Sequence, residues 1–488
     1  MQRRRAALAL GLAATAALVL SLAAGASVPI VQIAVDPFTN ASSQHKTIVE
    51  PDTFGWGSTI VAAAQFGRFT DGGASDIGWA TSTNAGASWT SGVMPAITAF
   101  TNPPGIYARV SDPSVAYDAR HNVWMVSSLA LDASIKGAAV IVSRSIDGGL
   151  TWQKPRPVKT ASGAQDFDKN WTVCDNTSTS PFYGSCYTTW DDFGSGNKLM
   201  IAYSRDGGLT WTLSSTPNVG VIGAQPLVQP GGKVIVPLDN ASETALGYTN
   251  STDGGVTFGQ AFTITSISAA VDPDNIRSGP LPSAEIDGSG KVFVAWEDCR
   301  FRAGCYTNDI VYTTSTNGTT WTTVQRVPID AVNSNVDHFI PGLAVDRATS
   351  GASAHIALAY YWYPVVPCGP NCKLDAGYIS SPDGGATWSV PQQLAGMLTH
   401  WLPDTTQGRM VGDYISTSYD SSGKAHPVFV EAKNPPTGDC VTSTPNCDQG
   451  LYTSVSGLAA AAGTATASDP VVFTAKPQPG RSAFKHRH

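Results

Sequence analysis

Charged residues are scarce in this chain of 488 residues, making up only 14% of it. Basic residues are the rarer sign, with 30 Lys and Arg against 37 Asp and Glu, for a formal net charge of −7. Nucleic-acid binding proteins concentrate positive charge to neutralise phosphates, so this composition argues against a nucleic-acid partner. Beyond residue 26 the sequence also has no apolar run long enough to span a bilayer.

The N-terminal stretch is the one long apolar segment. It reads "MQRRRAALALGLAATAALVLSLAAGA", a basic start, an apolar middle and a small-residue end. These three features are typical of a secretory signal peptide, with cleavage predicted after Ala26. A retained membrane anchor is the alternative, although the apolar part is short and rich in small residues. We therefore expect residues 1–26 to be removed and the mature protein to be secreted, extracellular or at the cell surface.

The eight cysteines occur as four pairs, and the two members of each pair are close in sequence. The pairs are Cys174 with Cys186, Cys299 with Cys305, Cys368 with Cys372, and Cys440 with Cys447. In an exported chain such spacing predicts local disulfides that close loops. A zinc site would need thiolates or histidines that converge, and these pairs lie in separate repeats. We predict no cofactor, although a carboxylate-rich region could hold a structural Ca²⁺.

One short motif recurs along the chain. "SIDGGLTW" at Ser145–Trp152 reappears as "SRDGGLTW", "STDGGVTF" and "SPDGGATW", and more weakly as "STNAGASW" and "STNGTTW". Six copies indicate a structural turn rather than a catalytic site, which a chain usually builds once. We expect Asp147 and its counterparts to accept hydrogen bonds from backbone amides, the glycines to take positive φ, and the aromatic residue to pack beneath the turn.

A second pattern surrounds these turns, with four short strands in each repeat. First strands recur about every 60 residues, near Glu50, Asp112, Trp171, Pro226, Ser283, Pro341 and Tyr414. This predicts an all-β chain of four-stranded antiparallel blades, a β-propeller with seven blades favoured and six as the alternative. The last blade lacks a fourth strand, so we expect "VPIVQIAV" near the N-terminus to complete it. Residues 27–455 would form the propeller, and residues 456–488 a flexible tail.

These turns resemble the Asp boxes of the sialidase superfamily. Other stretches, "DKNWTVCDN", "WEDCRF" and "GRMVGDYIS", resemble exported bacterial proteins described as exo-α-sialidase-like. The resemblance implies three arginines that hold a substrate carboxylate, an aspartic acid, and a tyrosine nucleophile activated by a glutamate. On residues of this chain it suggests Arg68, Arg300 or Arg302, and Arg409 as arginines, Glu285 or Glu297 as the activating acid, and Tyr414 as the nucleophile. The usual arginine motif is missing around Arg68, and seven blades depart from the six expected of sialidases.

Topology predicts where a site would lie. Loops between second and third strands, and links between blades, emerge at the end opposite the Asp boxes. The loops contribute Arg68, Asp71, Asp191, Glu297, Arg300, Arg302 and Tyr363, and the links Asp112, Lys169, His338, Arg409 and Asp413. We assign catalytic roles to Tyr414, Glu297, Asp71 and Asp191, and substrate-binding roles to Arg68, Arg300, Arg302, Arg409, Asp112, Lys169, His338 and Tyr363.

Simpler interpretations remain for several of these residues. Arg300 and Arg302 could pair with Glu297 and Asp298 to brace their loop, and His338 could cap a backbone group. We nonetheless predict that Arg68, Glu297, Arg300, Arg302, Arg409 and Tyr414 converge at the axial end. The expected function is an exported, monomeric glycan-active propeller, a sialidase-like glycoside hydrolase acting on an acidic sugar of a glycoconjugate. The alternative is a non-catalytic propeller that binds glycan or protein.

Overall fold

A computed structural model describes residues 28–436, 440 and 446–465. The predicted signal peptide and residues 466–488 lie outside the described residues. The described chain is built from β-strands, and its helices are four single turns of 3₁₀-helix at Phe193–Ser195, Ala303–Cys305, Gly351–Ser353 and Thr399–Trp401. None of the helices in these described segments is long and apolar enough to cross a membrane. The predicted all-β class is therefore confirmed.

Antiparallel meanders follow one another along the chain, and we number these units in chain order. Unit 1 has strands Ile48–Trp56, Thr59–Arg68, Ala74–Ser82 and Thr90–Val93; unit 2 has Arg109–Asp118, Val123–Leu131, Gly137–Ser145 and Arg156–Thr160; unit 3 has Phe167–Cys174, Cys186–Asp192, Lys198–Ser204 and Thr212–Leu213. Unit 4 has Val221–Ile222 and Leu227–Val228, both paired with Val234–Asn240, then Ala245–Ser251 and Phe262–Ser266.

The later units have the same pattern. Unit 5 has Ser283–Ile286, Val292–Asp298, Asp309–Ser315 and Gln325–Arg326; unit 6 has Asp337–Val345, Ile356–Tyr363, Lys373–Ser381 and Gln392–Leu398; unit 7 has Ser416–Tyr419, Lys424–Ala432, Gln449–Ser454 and Ile30–Val35. A small hairpin, Asp404–Thr405 with Gly408–Arg409, precedes unit 7. Buried side chains of adjacent units share hydrophobic clusters, so the core lies between the sheets.

The N-terminal strand completes unit 7. Ile30–Val35 runs antiparallel to Gln449–Ser454, with Gln32 opposite Tyr452. Ile33 and Ala34 are buried with Val428, Val430 and Leu451, so apolar burial fixes this strand in place. The predicted pairing of the N-terminal strand with the sheet that contains Tyr452 is confirmed.

The C-terminal segment stays against the sheets beyond residue 455. Leu458–Ala459 pairs with Lys424 and Ala425, and the backbone amide of Trp388 donates to the carbonyl of Ala465 at 2.8 Å. The ordered chain therefore extends ten residues past the boundary that we placed at residue 455. Sequence missed it because "GLAAAAGTATAS" carries no strand alternation.

The repeated turns have the structural role that the sequence predicts. Asp147 accepts hydrogen bonds from the amide of Thr151 at 2.9 Å and its hydroxyl at 2.6 Å, Gly148 and Gly149 take φ of 84° and 83°, and Trp152 is buried. Burial alone would raise the pKa of Asp147, but hydrogen bonds from Thr151 and Ser145 lower it to about 2. These carboxylates are saturated acceptors inside a turn, so chemistry must be sought elsewhere.

All eight cysteines form the four predicted local disulfides. Cys174–Cys186 joins neighbouring strands of unit 3, and the other three close loops between the second and third strands of units 5, 6 and 7. Each bond therefore constrains one unit and joins no two units.

We expect the mature protein to show no free thiol after denaturation without reductant. Proteolytic mapping under the same conditions should recover each cysteine linked to its near neighbour, because loops of 4 to 12 residues close with little entropy loss. A reactive thiol in the denatured protein, or a peptide that links two units, would contradict the assignment.

Candidate functional site

The first strands of four units share one backbone irregularity. Their registers shift between Val49 and Asp52, Ser111 and Ser114, Asp168 and Trp171, and Phe339 and Gly342. Within each shift one non-glycine residue takes left-handed φ: Glu50 at 56°, Asp112 at 48°, Lys169 at 51° and Ile340 at 51°. Such bulges redirect side chains and occur often beside active sites, and left-handed non-glycine residues carry strain. The repeated bulge turns charged residues of different units towards one place.

These residues form a buried ionic network, which we call the axial cluster. It consists of Glu50, Arg68, Asp112, Lys169, Arg277 and Asp413, all nearly inaccessible to solvent. Asp413 is its centre: one carboxylate oxygen contacts the Lys169 ammonium and, at 2.6 Å, the Arg277 guanidinium. The backbone amide of Lys169 donates to Asp112 at 3.2 Å. Units 1, 2 and 3 and the links before units 5 and 7 each supply members.

Two glutamines connect Arg68 to this network. Arg68 donates to the side-chain oxygen of Gln65 at 2.8 Å and to that of Gln407 at 3.2 Å. Gln65 in turn donates to Glu50, and Gln407 also accepts from Arg277. The side-chain oxygen of Gln407 thus bridges the guanidiniums of Arg68 and Arg277.

The charges of the cluster compensate one another. Burial and the neighbouring Arg277 lower the pKa of Arg68 to about 10, while burial and then the charge of Asp413 raise the pKa of Glu50 well above its usual range. Burial alone would lower the pKa of Lys169, but the charges of Asp413 and Asp112 raise it above its usual value. Three cations therefore face three carboxyl groups in a site of low dielectric, where each depends on its partners.

A narrow pocket opens beside the cluster. Asp112, Lys169, Trp171, Gln225 and Tyr414 line it, and its free space is about 30 Å³. The rings of Trp171 and Tyr414 meet edge to face, with centroids 5.3 Å apart, and the Tyr414 hydroxyl donates to the carbonyl of Pro113 at 3.2 Å. Burial raises the pKa of Tyr414 well above its usual range. The space admits a substituent such as a carboxylate, while a whole sugar ring would have to lie above it.

One known protein family matches part of this chain. Residues 59–281 match a family model described as a BNR repeat-like domain, the region that holds four of the six repeated turns. This part of the chain is therefore similar to BNR repeat-like domains. No curated protein matches it at a significant level.

Several solved structures are similar to this chain at low identity. The Hadza microbial sialidase Hz136 is 16% identical, with a TM-score of 0.45 and 65% of each chain covered. The leech intramolecular trans-sialidase is 13% identical, with a TM-score of 0.45, over 66% of this chain and 65% of its own. A Dyadobacter fermentans protein of unknown function is 18% identical, with a TM-score of 0.46, over 72% of this chain and 98% of its own. The chain thus spans less than two thirds of each of the two sialidases.

Of the residues predicted for the site, four meet at the axial cluster. Arg68, Asp112 and Lys169 belong to it, and Tyr414 lines the adjoining pocket. Arg68 ends the second strand of unit 1, Asp112 and Lys169 lie in first strands, and Tyr414 lies in the link before unit 7.

Arg300 and Arg302 do not join them. Arg300 forms an ion pair with Asp298 at 2.7 Å and lies over the Trp296 ring, and Arg302 contacts Asp309 at 2.5 Å and Asp330 at 2.8 Å. The predicted convergence therefore does not extend to these two arginines. Both arginines pair with acids that are close in sequence, so they brace the disulfide-closed loop of unit 5. Glu297 was one expected partner of these arginines, and Asp309 and Asp330 are the partners of Arg302 instead.

Three further predicted residues have local partners. Arg409 pairs with Asp274 and donates to the hydroxyl of Thr399 at 3.0 Å, although its backbone carbonyl accepts from the amide of Arg277. Asp71 is half exposed and pairs with Arg109 at 2.5 Å. Asp191 accepts from Asn197 at 2.8 Å. The structure thus places Arg409 next to the cluster backbone, Asp71 against the first strand of unit 2, and Asp191 near the end of the second strand of unit 3.

The last three predicted residues are buried in units 5 and 6. Glu297 accepts from the amide of Ile340 at 3.3 Å, so it supports a bulge. Tyr363 packs on Phe339 with ring centroids 5.2 Å apart. His338 lies between Tyr360 and Trp362, and burial lowers its pKa. For Tyr363, these contacts describe a core residue rather than a stacking platform at a loop.

Among the described residues, one group has a geometry that a metal ion could use. Ligand atoms of Asp309, Asp330 and His338 lie within 4.8 Å of one another. Arg302 and Arg326 already contact both aspartates. Two guanidiniums in this position oppose a dication, so the donor set does not fit a metal site.

Sequence reasoning missed Glu50 and Arg277. Glu50 marked only the start of a strand, and Arg277 lies in "DPDNIRSGP", a link without a recognised motif. A usable signal existed for Glu50: in aligned first strands, "EPD" and "DPS" place an acid before proline at the same position as Lys169 in "KNW". No comparable pattern marks Arg277.

A second small pocket lies between the first strands and shares Trp171 and Gln225 with this one. Asp52, Trp171, Gln225 and Glu285 are among its lining residues. Asp52 is almost fully buried and accepts from the amide of Val115 at 2.7 Å, yet burial raises its pKa to about 7. The folded chain therefore holds a proton on Asp52 that the unfolded chain releases near pH 4.

We expect Asp52→Asn to change how stability depends on pH. Below pH 4 both states bind the proton, whereas from about pH 4 to pH 7 only the folded wild type does, so its free energy of unfolding falls as the pH rises. Asparagine cannot ionise and keeps an acceptor for Val115. Urea unfolding at pH 4, 5.5 and 7.5 should show the variant gaining stability relative to wild type along the series. Parallel curves would contradict burial as the cause.

Proposed function

We propose that this protein is an exported propeller of seven blades that binds an acidic sugar at its axial end and hydrolyses the glycosidic bond. Units 1 to 7 would be the blades, and the strand Ile30–Val35 would close the ring by completing blade 7. The N-terminal segment and the four local disulfides support export, because such bonds persist in oxidising compartments.

The observation that carries this proposal is the axial cluster. Burying six ionisable groups costs several kcal/mol per ion before pairing, and apolar residues of similar volume would stabilise the fold as well or better. A cluster gathered from five parts of the chain, with shifted pKa values and three bulged strands, is the arrangement expected of a functional site. Lys169, the cation that lines the adjoining pocket, would give the site affinity for a carboxylate.

The pocket suggests roles for individual residues. Lys169 would attract the sugar carboxylate, and the exposed part of Trp171 would support the ring. The Tyr414 oxygen would bond to the anomeric carbon while Asp112 gives a proton to the departing oxygen. Glu50, the carboxyl group with the strongest charge effect on Tyr414, would receive the phenolic proton. Water would then displace the tyrosine and release the sugar.

A non-catalytic glycan-binding propeller is the second candidate, and one observation favours it. The Tyr414 hydroxyl donates to a backbone carbonyl, and Arg300, Arg302 and Arg409 each have an acid of their own. A binding protein needs the compensated charges of the cluster but no activated nucleophile.

A substrate and binding screen tests both candidates. The mature protein should release chromophore from at least one aryl sialoside or aryl uronide and should not cleave the matching neutral glycosides. Binding to acidic glycans on an array without turnover would replace the hydrolase with the binding protein. Neither turnover nor binding of acidic glycans would refute both.

A further inference from the structure

A much larger cavity adjoins the small pocket that contains Asp52 and shares Phe54 and Glu285 with it. Its free space is about 450 Å³, against about 30 Å³ beside Tyr414, and Phe54, Trp56, Glu285, Arg347 and Tyr419 line it. The strand Ile48–Trp56 runs from one to the other, with Glu50 near its start and Trp56 at its end. We call this space the distal cavity. Its volume is within the range of small-molecule binding sites.

Aromatic rings form part of its wall. The Trp56 ring packs against Tyr117 with centroids 5.5 Å apart and the residue is still 36% exposed. The Arg347 guanidinium lies 5.3 Å from the centre of the Phe54 ring. A partly exposed tryptophan at a cavity mouth gives a flat apolar surface on which the C–H face of a sugar can pack.

Polar groups for recognition lie beside these rings. Arg347 and Glu285 form a pair 3.5 Å apart, with side chains 30% and 25% exposed, so both retain unused donors and acceptors. The Tyr419 hydroxyl is buried and has no hydrogen-bond partner among the described residues. A guanidinium beside a carboxylate offers adjacent donors and acceptors, which is the pattern that two neighbouring hydroxyls of a sugar can satisfy.

The charge of the cavity selects the class of ligand. Arg347 is the one cation in its lining, whereas Glu285, Asp346 and Asp420 are acidic. Glu285 pairs with Arg347, and Asp420 pairs with His426. The lining thus carries three carboxyl groups against one guanidinium, so an anionic sugar would meet net negative charge here, whereas three cations match the three carboxyl groups of the axial cluster.

From these features we propose that the distal cavity is a second carbohydrate-binding site, which takes one neutral sugar unit with adjacent hydroxyls. The site does not depend on hydrolysis at the axial end. Trp56 packs on the sugar ring, Arg347 and Glu285 bind the hydroxyl pair, and the Tyr419 hydroxyl gains a partner.

Calorimetric titration with neutral methyl glycosides and oligosaccharides of glucose, galactose and mannose tests this site. At least one should bind the wild type, and Trp56→Ala and Arg347→Gln should each weaken that binding about tenfold or more. Tyr306→Ala, which removes an aromatic side chain 74% exposed elsewhere, should bind as wild type does. Binding should also quench tryptophan fluorescence in Tyr306→Ala and not in Trp56→Phe.

Three results would overturn the proposal. They are the absence of binding across the panel at millimolar sugar, equal affinity of Trp56→Ala and wild type, and preference for acidic over neutral sugars in the Trp56-dependent signal. If Trp56→Ala fails to fold, Trp56→Phe with Arg347→Gln gives the same comparison. Turnover of acidic substrates by these variants reports on the axial end separately, so either proposal can fail alone.

Discussion

Replacing Asp413 with alanine is expected to lower the free energy of unfolding by about 3–5 kcal/mol. One oxygen of Asp413 contacts both Lys169 and Arg277, and its side chain has no solvent exposure. Its loss leaves Lys169, Arg68 and Arg277 buried with too little negative charge, and the pKa of Arg68 is already lowered to about 10. Equilibrium unfolding in urea, followed by tryptophan fluorescence, measures the change.

Asp71→Ala is the matched control for that experiment. The same substitution breaks a pair with Arg109 that is half exposed on the aspartate side, and such pairs contribute about 0–1 kcal/mol. If the two variants lose similar stability, the axial cluster is hydrated and carries no large burial cost, and the main support for a functional site there is lost.

Much of the fold could be predicted from the sequence because the motifs that specify it are local and repeated. Each Asp-box turn is specified by hydrogen bonds within a few residues, as in Asp147 with Thr151, so every copy marks the same place in a unit. Unit 7 lacked a fourth strand in the sequence pattern and Ile30–Val35 was a strand without a unit, so the two were predicted to pair, as they do. Contacts of the segment 458–465 depend on sheets distant in sequence, and no local pattern predicts them.

The site was only partly readable, because ion-pair partners are chosen in three dimensions. Topology correctly brought Arg68, Lys169 and Tyr414 to one end of the fold. It could not show that Arg302 would form ion pairs with Asp309 and Asp330. No sequence pattern marks Arg277, and only the folded link places its guanidinium against Asp413.

Replacing Tyr414 with phenylalanine is expected to reduce kcat on the best acidic substrate by about 100-fold or more, with the fold retained. The hydroxyl is the proposed nucleophile. Its removal also deletes one hydrogen bond, the one that it donates to the carbonyl of Pro113. Initial rates with an aryl sialoside or uronide, alongside circular dichroism, give the comparison. Burial raises the pKa of Tyr414, so the reaction needs proton transfer to a carboxylate such as Glu50 as the bond forms.

Tyr378→Phe controls for the loss of a buried phenolic oxygen as such. Tyr378 is a buried tyrosine of the third strand of unit 6. Its replacement should leave turnover close to that of wild type. Arg409→Ala tests the neighbouring region: the arginine is held by Asp274, so a loss much smaller than that of Tyr414→Phe is expected. If Tyr414→Phe turns over substrate as fast as Tyr378→Phe, the nucleophile lies elsewhere, and the compensated cluster is better understood as the binding surface of a non-catalytic propeller.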